Sequence, residues 1–167
     1  TSQHTTTLMG CGALNGPFGP YAKPAPETYE QWKKAGSTML EVKKALLECG
    51  EPSPVRNKFI HEKALGIKDP DDQLNYFFLT DGCMEQSDFF VPGAKKTTEY
   101  CLWERHRHLP ACQPGAVFPQ RSVERRLNSW YCKIKTDREY CRQHAFTPSA
   151  CDDPKIDYTN PPPECQP

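Results

Sequence analysis

The chain has 167 residues, a length that suits one domain or a domain with a tail, and its 21 Lys and Arg balance 21 Asp and Glu. A balanced charge argues against a general binder of intracellular nucleic acid or of anionic membranes, which needs a positive excess. Only 37% of the residues are hydrophobic and 17 are proline, so a small core with much irregular chain around it is expected. No apolar run approaches the ~18 residues that span a bilayer.

Leu8-Met9-Gly10-Cys11 has the form of a bacterial lipobox, with an aliphatic residue three places before the cysteine and a small one just before it. In that reading Cys11 is the lipidation site, and lipid alone attaches the chain to a membrane. The polar run Thr1–Thr7 is not the charged start and apolar stretch of a complete signal peptide. The other reading is therefore that Cys11 is an ordinary disulfide partner or a free thiol. Residues 12–27 hold three glycines and four prolines without an apolar pattern, which reads as a linker. Residues 1–27 are thus expected to be a flexible tether, and residues 28–167 a disulfide-stabilised helical domain with a proline-rich tail.

Thr28–Lys34 reads as a short helix stopping at Gly36. Thr38 and Glu41 form a capping-box pattern, and Met39, Val42, Leu46 and Cys49 recur at helical spacing, with Gly50 as the stop and Pro52 and Pro54 behind it. A helix over Met39–Cys49 is expected. Residues 51–72 are mixed and polar. Leu74–Leu79 is apolar and aromatic, and its periodicity leaves helix and strand open. Thr97–Leu109 reads as a further helix. Ser122–Cys132 reads as another, with Arg125 and Arg126 outward and Val123, Leu127 and Trp130 inward. The last segment, Asn160–Pro167, contains four prolines and is excluded from helix or sheet interiors; Cys165 is expected to tie it back. The fold class is mainly α and irregular, with few or no strands.

The nine cysteines contain no Cys-x-x-Cys pair, so the usual zinc-ribbon and redox spacings are absent. Scattered beside turn residues, they read as disulfide staples of an oxidising compartment. Without Cys11, the remaining Cys49, Cys83, Cys101, Cys112, Cys132, Cys141, Cys151 and Cys165 make an even set. Local closure favours Cys49–Cys83, Cys101–Cys112, Cys132–Cys141 and Cys151–Cys165.

His106 and His108 would share one face of a strand and could ligate a metal there, but would diverge on a helix. No nearby acids complete a site, and no metal or other cofactor is assigned. There is no Gly-x-Ser-x-Gly elbow and no phosphate-binding glycine loop, so no catalytic residue is assigned. From Cys101 to Arg142 nine basic residues face four acidic ones. Arg105, Arg107, Arg121, Arg125 and Arg126, interleaved with aromatics, are candidates for binding an acidic polymer such as polysaccharide or extracellular nucleic acid. No Asn-x-Ser/Thr sequon occurs, which fits a bacterial origin better than a glycosylated ectodomain.

Two segments, Tyr29–Gly36 (Tyr-Glu-Gln-Trp-Lys-Lys-Ala-Gly) and Glu41–Gly50 (Glu-Val-Lys-Lys-Ala-Leu-Leu-Glu-Cys-Gly), together with Cys83-Met84, Leu109–Pro114 and Arg121–Cys132, resemble small, uncharacterised, cysteine-rich outer-membrane lipoproteins of Gram-negative bacteria. The likeness extends over residues 8–145. It implies export, an anchor at Cys11, packing roles for Trp32 and Leu46, and Cys49 and Cys83 as disulfide partners; it implies no activity. The expected function is an exported, lipid-anchored structural or interaction protein, such as an accessory subunit of a cell-surface or secretion assembly, located at the outer membrane, in the periplasm or secreted. An acidic-polymer binder acting through residues 101–142, or a hydrolase without a recognisable motif, are the alternatives.

Overall fold

The computed structural model describes residues 24–167. Cys11 and the tether up to residue 23 lie outside the described residues. The elements are α1 (Thr28–Gln31), α2 (Met39–Cys49), α3 (Ile60–Leu65), α4 (Pro70–Gln86), α5 (Thr97–Tyr100), α6 (Val123–Leu127), α7 (Trp130–Thr136) and α8 (Arg138–His144). Short 3-10 turns lie at Glu104–His106, Pro110–Cys112, Pro148–Asp152 and Pro163–Cys165. Among the described residues the one extended pairing is an antiparallel bridge between Lys33 and Phe90. The protein is mainly α, as the helical spacings and cap signals implied.

The second helix forms where expected and for the expected reason. The Thr38 hydroxyl accepts from the Glu41 backbone N–H, and the Glu41 carboxylate accepts from the Thr38 N–H. At the other end Gly50 adopts the left-handed φ of +106°, a conformation that costs glycine little. What periodicity did not show is that α2 is central. Ala45, Leu46, Leu47, Glu48 and Cys49 are all buried in succession, so the second half of the helix is enclosed on every side. It packs on α1, α4, α6 and the Pro163–Cys165 turn. Met39, expected on the inward stripe, is 59% exposed, because the packing begins only one turn further along.

Leu74–Leu79 lies within a 17-residue helix, α4. Its start is local chemistry: the Asp69 side chain accepts from the Asp71 and Asp72 backbone N–H groups, and Pro70 occupies the first turn, where its missing N–H is not needed. Close packing replaces amphipathic regularity further along. Gly82 faces Phe118 so closely that a Cβ would stand 2.2 Å from the ring.

Three helix expectations are corrected. The first helix ends at Gln31, because Trp32 turns to extended backbone and enters the core. Thr97–Leu109 is a single α-turn followed by a 3-10 turn. Ser122–Cys132 is two helices, since both Ser122 and Ser129 act as caps, accepting from the Arg125 and Cys132 backbone N–H groups. Within α6 itself, Val123 is half-exposed and Arg126, expected outward, is buried against Glu48 and the C-terminal segment.

The core is three small clusters. The largest holds Trp32, Val42, Ala45, Leu46, Met84 and Phe89 around Cys49 and Cys83. A second gathers Leu47 with Cys132 and Cys165. A third holds Phe78, Leu109 and Ala111, with Cys101 and Cys112 against it. Each cluster thus contains a disulfide: Cys49–Cys83, Cys132–Cys165 and Cys101–Cys112. The fourth, Cys141–Cys151, ties α8 to the Pro148–Asp152 turn. The two expected pairs Cys132–Cys141 and Cys151–Cys165 are corrected. Cys165 reaches past its sequence neighbours to Cys132 because the proline-rich tail folds back across α2 rather than closing locally.

Candidate functional site

The arginines singled out in the sequence do not form one face. The carboxylate of Glu48, on the enclosed half of α2, accepts from Arg121 Nε at 2.6 Å and from Arg126 Nε at 3.0 Å. Arg126 also donates to the carbonyls of Glu164 and Gln166, at 2.8 and 2.6 Å. Arg125 donates to the carbonyls of Glu48 and Gln120. Tyr131 Oη donates to Glu164 at 2.7 Å. Arg121, Arg125 and Arg126 therefore bind the chain's own C-terminal segment and central helix. Arg105 lies over the Trp103 ring, 4.8 Å from its centre, and Arg107 donates to the Leu102 carbonyl.

His106 and His108 diverge. His106 is buried, with Nδ1 2.9 Å from the Tyr100 carbonyl and its ring stacked on Trp103. His108 is exposed and pairs with Asp71 at 2.6 Å. Among the described residues no group of three or more His, Cys, Asp or Glu side chains could hold a metal ion. The eight cysteines Cys49 to Cys165 are all in disulfides.

A different constellation is left over. Immediately after the αL glycine, residues Glu51–Pro54 run buried beneath α3 and α4. A cleft of about 570 Å³ opens there, walled by Trp32, Ile60, Phe77 and Val91, with Glu51, His61 and Asp81 among its lining residues. That volume is in the range of small-molecule sites. Glu51 and His61 are each 6% exposed. His61 Nε2 stands 3.7 Å from Glu51 Oε1, too far for a hydrogen bond, and it has no hydrogen-bond partner. Its ring is held by Phe77 at 4.3 Å and by Tyr76 at 5.7 Å, while the Tyr76 hydroxyl donates to the Gly50 carbonyl.

The environment shifts Glu51, His61, Tyr76 and Asp81 toward neutrality, because burial penalises charge. Burial, reinforced by the charge of Asp81, pushes the Glu51 carboxyl up to about 8. Burial and the neighbouring Glu85 push Asp81 up to about 7. Burial holds His61 below the usual imidazole range. Tyr76 is pushed up to about 12, by burial and then by Glu51, against the pull of Arg125.

These shifts fix a pH dependence of stability. A carboxyl with a raised folded pKa stabilises the fold fully only below its unfolded value, and loses that contribution as pH rises through the folded value. His61 has the opposite sign, but only below about 6.5, where the unfolded imidazole takes up its proton. Between pH 6.5 and 9 the carboxyls act alone. Thermal melts should therefore fall across this window, by a stability loss on the order of a few kcal/mol. In Glu51→Gln the slope should flatten and the melting point at pH 9 should rise above wild type. A wild-type melting point that is constant or rising from pH 6.5 to 9 contradicts the assignment.

Nothing in the sequence singled out Glu51, His61 or Asp81. They are separated by up to 30 residues, with no motif spacing, and only the packing of α3 and α4 over residues 51–54 brings them together. No helix among the described residues is long and apolar enough to cross a membrane. Four disulfides assign the chain to an oxidising, non-cytoplasmic environment. Comparison of the chain with protein-family profiles, with curated proteins and with solved structures finds no match.

Proposed function

We propose that the protein is an exported binding module: a disulfide-locked helical body, carried on the tether of residues 1–27 and anchored by lipid at Cys11, that engages its partner through the cleft over Glu51, His61 and Asp81 as an accessory component of an envelope or cell-surface assembly. The observation that carries this reading is the contrast between the two polar clusters. The arginines around Glu48 are satisfied by the chain itself. The cleft gathers carboxyls and an imidazole that the chain leaves without donors, within a volume that fits a ligand.

The acidic-polymer alternative is less favoured, because Arg107, Arg121, Arg125 and Arg126 all donate hydrogen bonds within the chain.

The test is purification from natively expressing cells without reductant, followed by intact mass and partner analysis. The expected result is acyl mass on Cys11, eight thiols appearing only after reduction, and a stoichiometric partner that is lost in His61→Ala while the disulfides stay closed. An unlipidated chain overturns the anchor. A partner retained unchanged by His61→Ala and by Glu51→Gln overturns the cleft as the binding surface.

A further inference from the structure

The cleft has a specific chemical deficit. Glu51 and Asp81 each offer carboxylate oxygens, and among the described residues none donates a hydrogen bond to either side chain; His61 Nε2, on a side chain 8% exposed, lacks a partner as well. Buried polar groups are paired in the great majority of cases, and the cost of leaving one unpaired is on the order of 1–3 kcal/mol. His61 Nε2 is such an atom, and Glu51, 6% exposed, and the partly exposed Asp81 stand with it in the same recess. All three can accept. Arg125 is committed to the Glu48 and Gln120 carbonyls and Lys58 lies over the Phe59 ring at 4.7 Å, while Lys95 and Lys96 line the adjoining recess on the other side of Asp81. Arg56 stands at the rim. The walls are aromatic and aliphatic, Trp32, Phe77, Ile60 and Val55, suited to a carbon chain or ring and to a cation over an aromatic face.

We propose that this cleft binds an organic amine in its ammonium form, with the ammonium donating to Glu51, Asp81 and His61 and the carbon body lying between Trp32 and Phe77. The proposal rests on reading the cleft as the binding site and names what enters it. An ammonium has three N–H donors and a pKa near ~10, so it stays charged across the working range and supplies one donor to each acceptor. Its charge also removes the reason for the carboxyls to remain protonated. Binding at neutral pH therefore expels protons from Glu51 and Asp81 to the buffer, and affinity rises with pH. The groups that face these carboxyls set the limits: Tyr76 and His61 are neutral there, Glu85 adds negative charge but is bound to Thr97, and Arg56 at the rim opposes a cation.

Calorimetry on the oxidised full chain tests this with pentylamine, phenethylamine and Nα-acetyl-lysine methylamide, against pentanol and hexanoate as neutral and anionic counterparts, at pH 6 and pH 8 and in two buffers of different ionisation enthalpy. Expected are binding of the amines alone, proton release, and a loss of affinity of about tenfold per pH unit per carboxyl below its pKa. Glu51→Gln and Asp81→Asn should each weaken binding at least ~tenfold, as loss of a charged hydrogen bond does. Arg56→Ala, on an exposed residue, should tighten it, so the proposal does not depend on the buried variants folding. Preference for the acetyl-lysine probe assigns the ammonium to a partner's lysine side chain, and preference for the simple amines to a free small molecule; either supports the site. Binding of pentanol or hexanoate without the amines overturns the ligand assignment and leaves the cleft as a binding site. Binding of none of the probes overturns the amine proposal, and the partner analysis with His61→Ala then decides the cleft independently.

Discussion

Full reduction of the four disulfides should unfold the domain at 37 °C: helical circular dichroism and the protected amides of α2 and α4 should both be lost, and both should return on reoxidation. The loops closed by the bonds span 34, 11, 33 and 10 residues in sequence. Loop-closure entropy assigns about 3 kcal/mol to the short ones and nearly 4 kcal/mol to the long ones. Together these are of the same order as the whole stability of a small domain, ~5–15 kcal/mol. The core offers little to replace them. It is divided into three clusters, and the second contains a single buried aliphatic side chain, Leu47, beside Cys132 and Cys165. The bonds should not be equivalent. Replacing Cys49 and Cys83 by alanine removes a staple between the two longest helices together with fully buried sulfur, and should cost the most, about 3–5 kcal/mol. Replacing Cys141 and Cys151 should cost least, since that pair fastens the peripheral α8. A reduced protein that keeps its cooperative melt within a few degrees of the oxidised one is incompatible with this distribution of stability.

Replacing Arg126 by methionine is the second large perturbation. Arg126 is 2% exposed and its guanidinium joins three parts of the chain: Glu48 on α2, α6 itself, and the carbonyls of Glu164 and Gln166. Removing it leaves a buried carboxylate short of one partner and two carbonyls without donors. Breaking a buried ion pair from one side typically costs 3–5 kcal/mol. The lower part of that range applies here because Arg121 still holds the other Glu48 oxygen. At a chain of this size the expected fall in melting temperature is on the order of 10 °C, with the amides of Glu164, Cys165 and Gln166 losing protection first. The double variant Glu48→Leu with Arg126→Met should recover part of the loss, since it removes the stranded charge along with its partner. Equal loss in the single and double variants would assign the whole effect to the two tail carbonyls. An unchanged melt in Arg126→Met contradicts the structural role of the pair.

Local chemistry was the readable part of this sequence. The Thr38/Glu41 capping box and Gly50 fixed α2 to the residue, because caps and αL stops act within one turn. Ser129 and the Asp69-Pro70 start are signals of the same kind, the first dividing residues 122–132 into two helices and the second starting α4. What could not be read was long-range. Arg126 carries no mark that separates it from Arg125; only the packing of α6 on α2 and the C-terminal segment turns one guanidinium into the core. The pairing of Cys132 with Cys165 depends on the tail crossing α2, and local closure favoured the wrong partner. The cleft was invisible for the same reason. Glu51, His61 and Asp81 carry no motif spacing, and only the packing of α3 and α4 around Glu51 brings them together.

The return of the tail across α2 supports the central cluster, the Arg126 network and the body that presents the cleft. Peptide mapping of the natively expressed, unreduced protein tests it most directly. Digestion that yields the Cys132 peptide linked to the Cys165 peptide, and the Cys141 peptide linked to the Cys151 peptide, is the predicted result. Recovery of Cys132 bonded to Cys141, with Cys151 bonded to Cys165, would detach the tail from the central helix and contradict the architecture described.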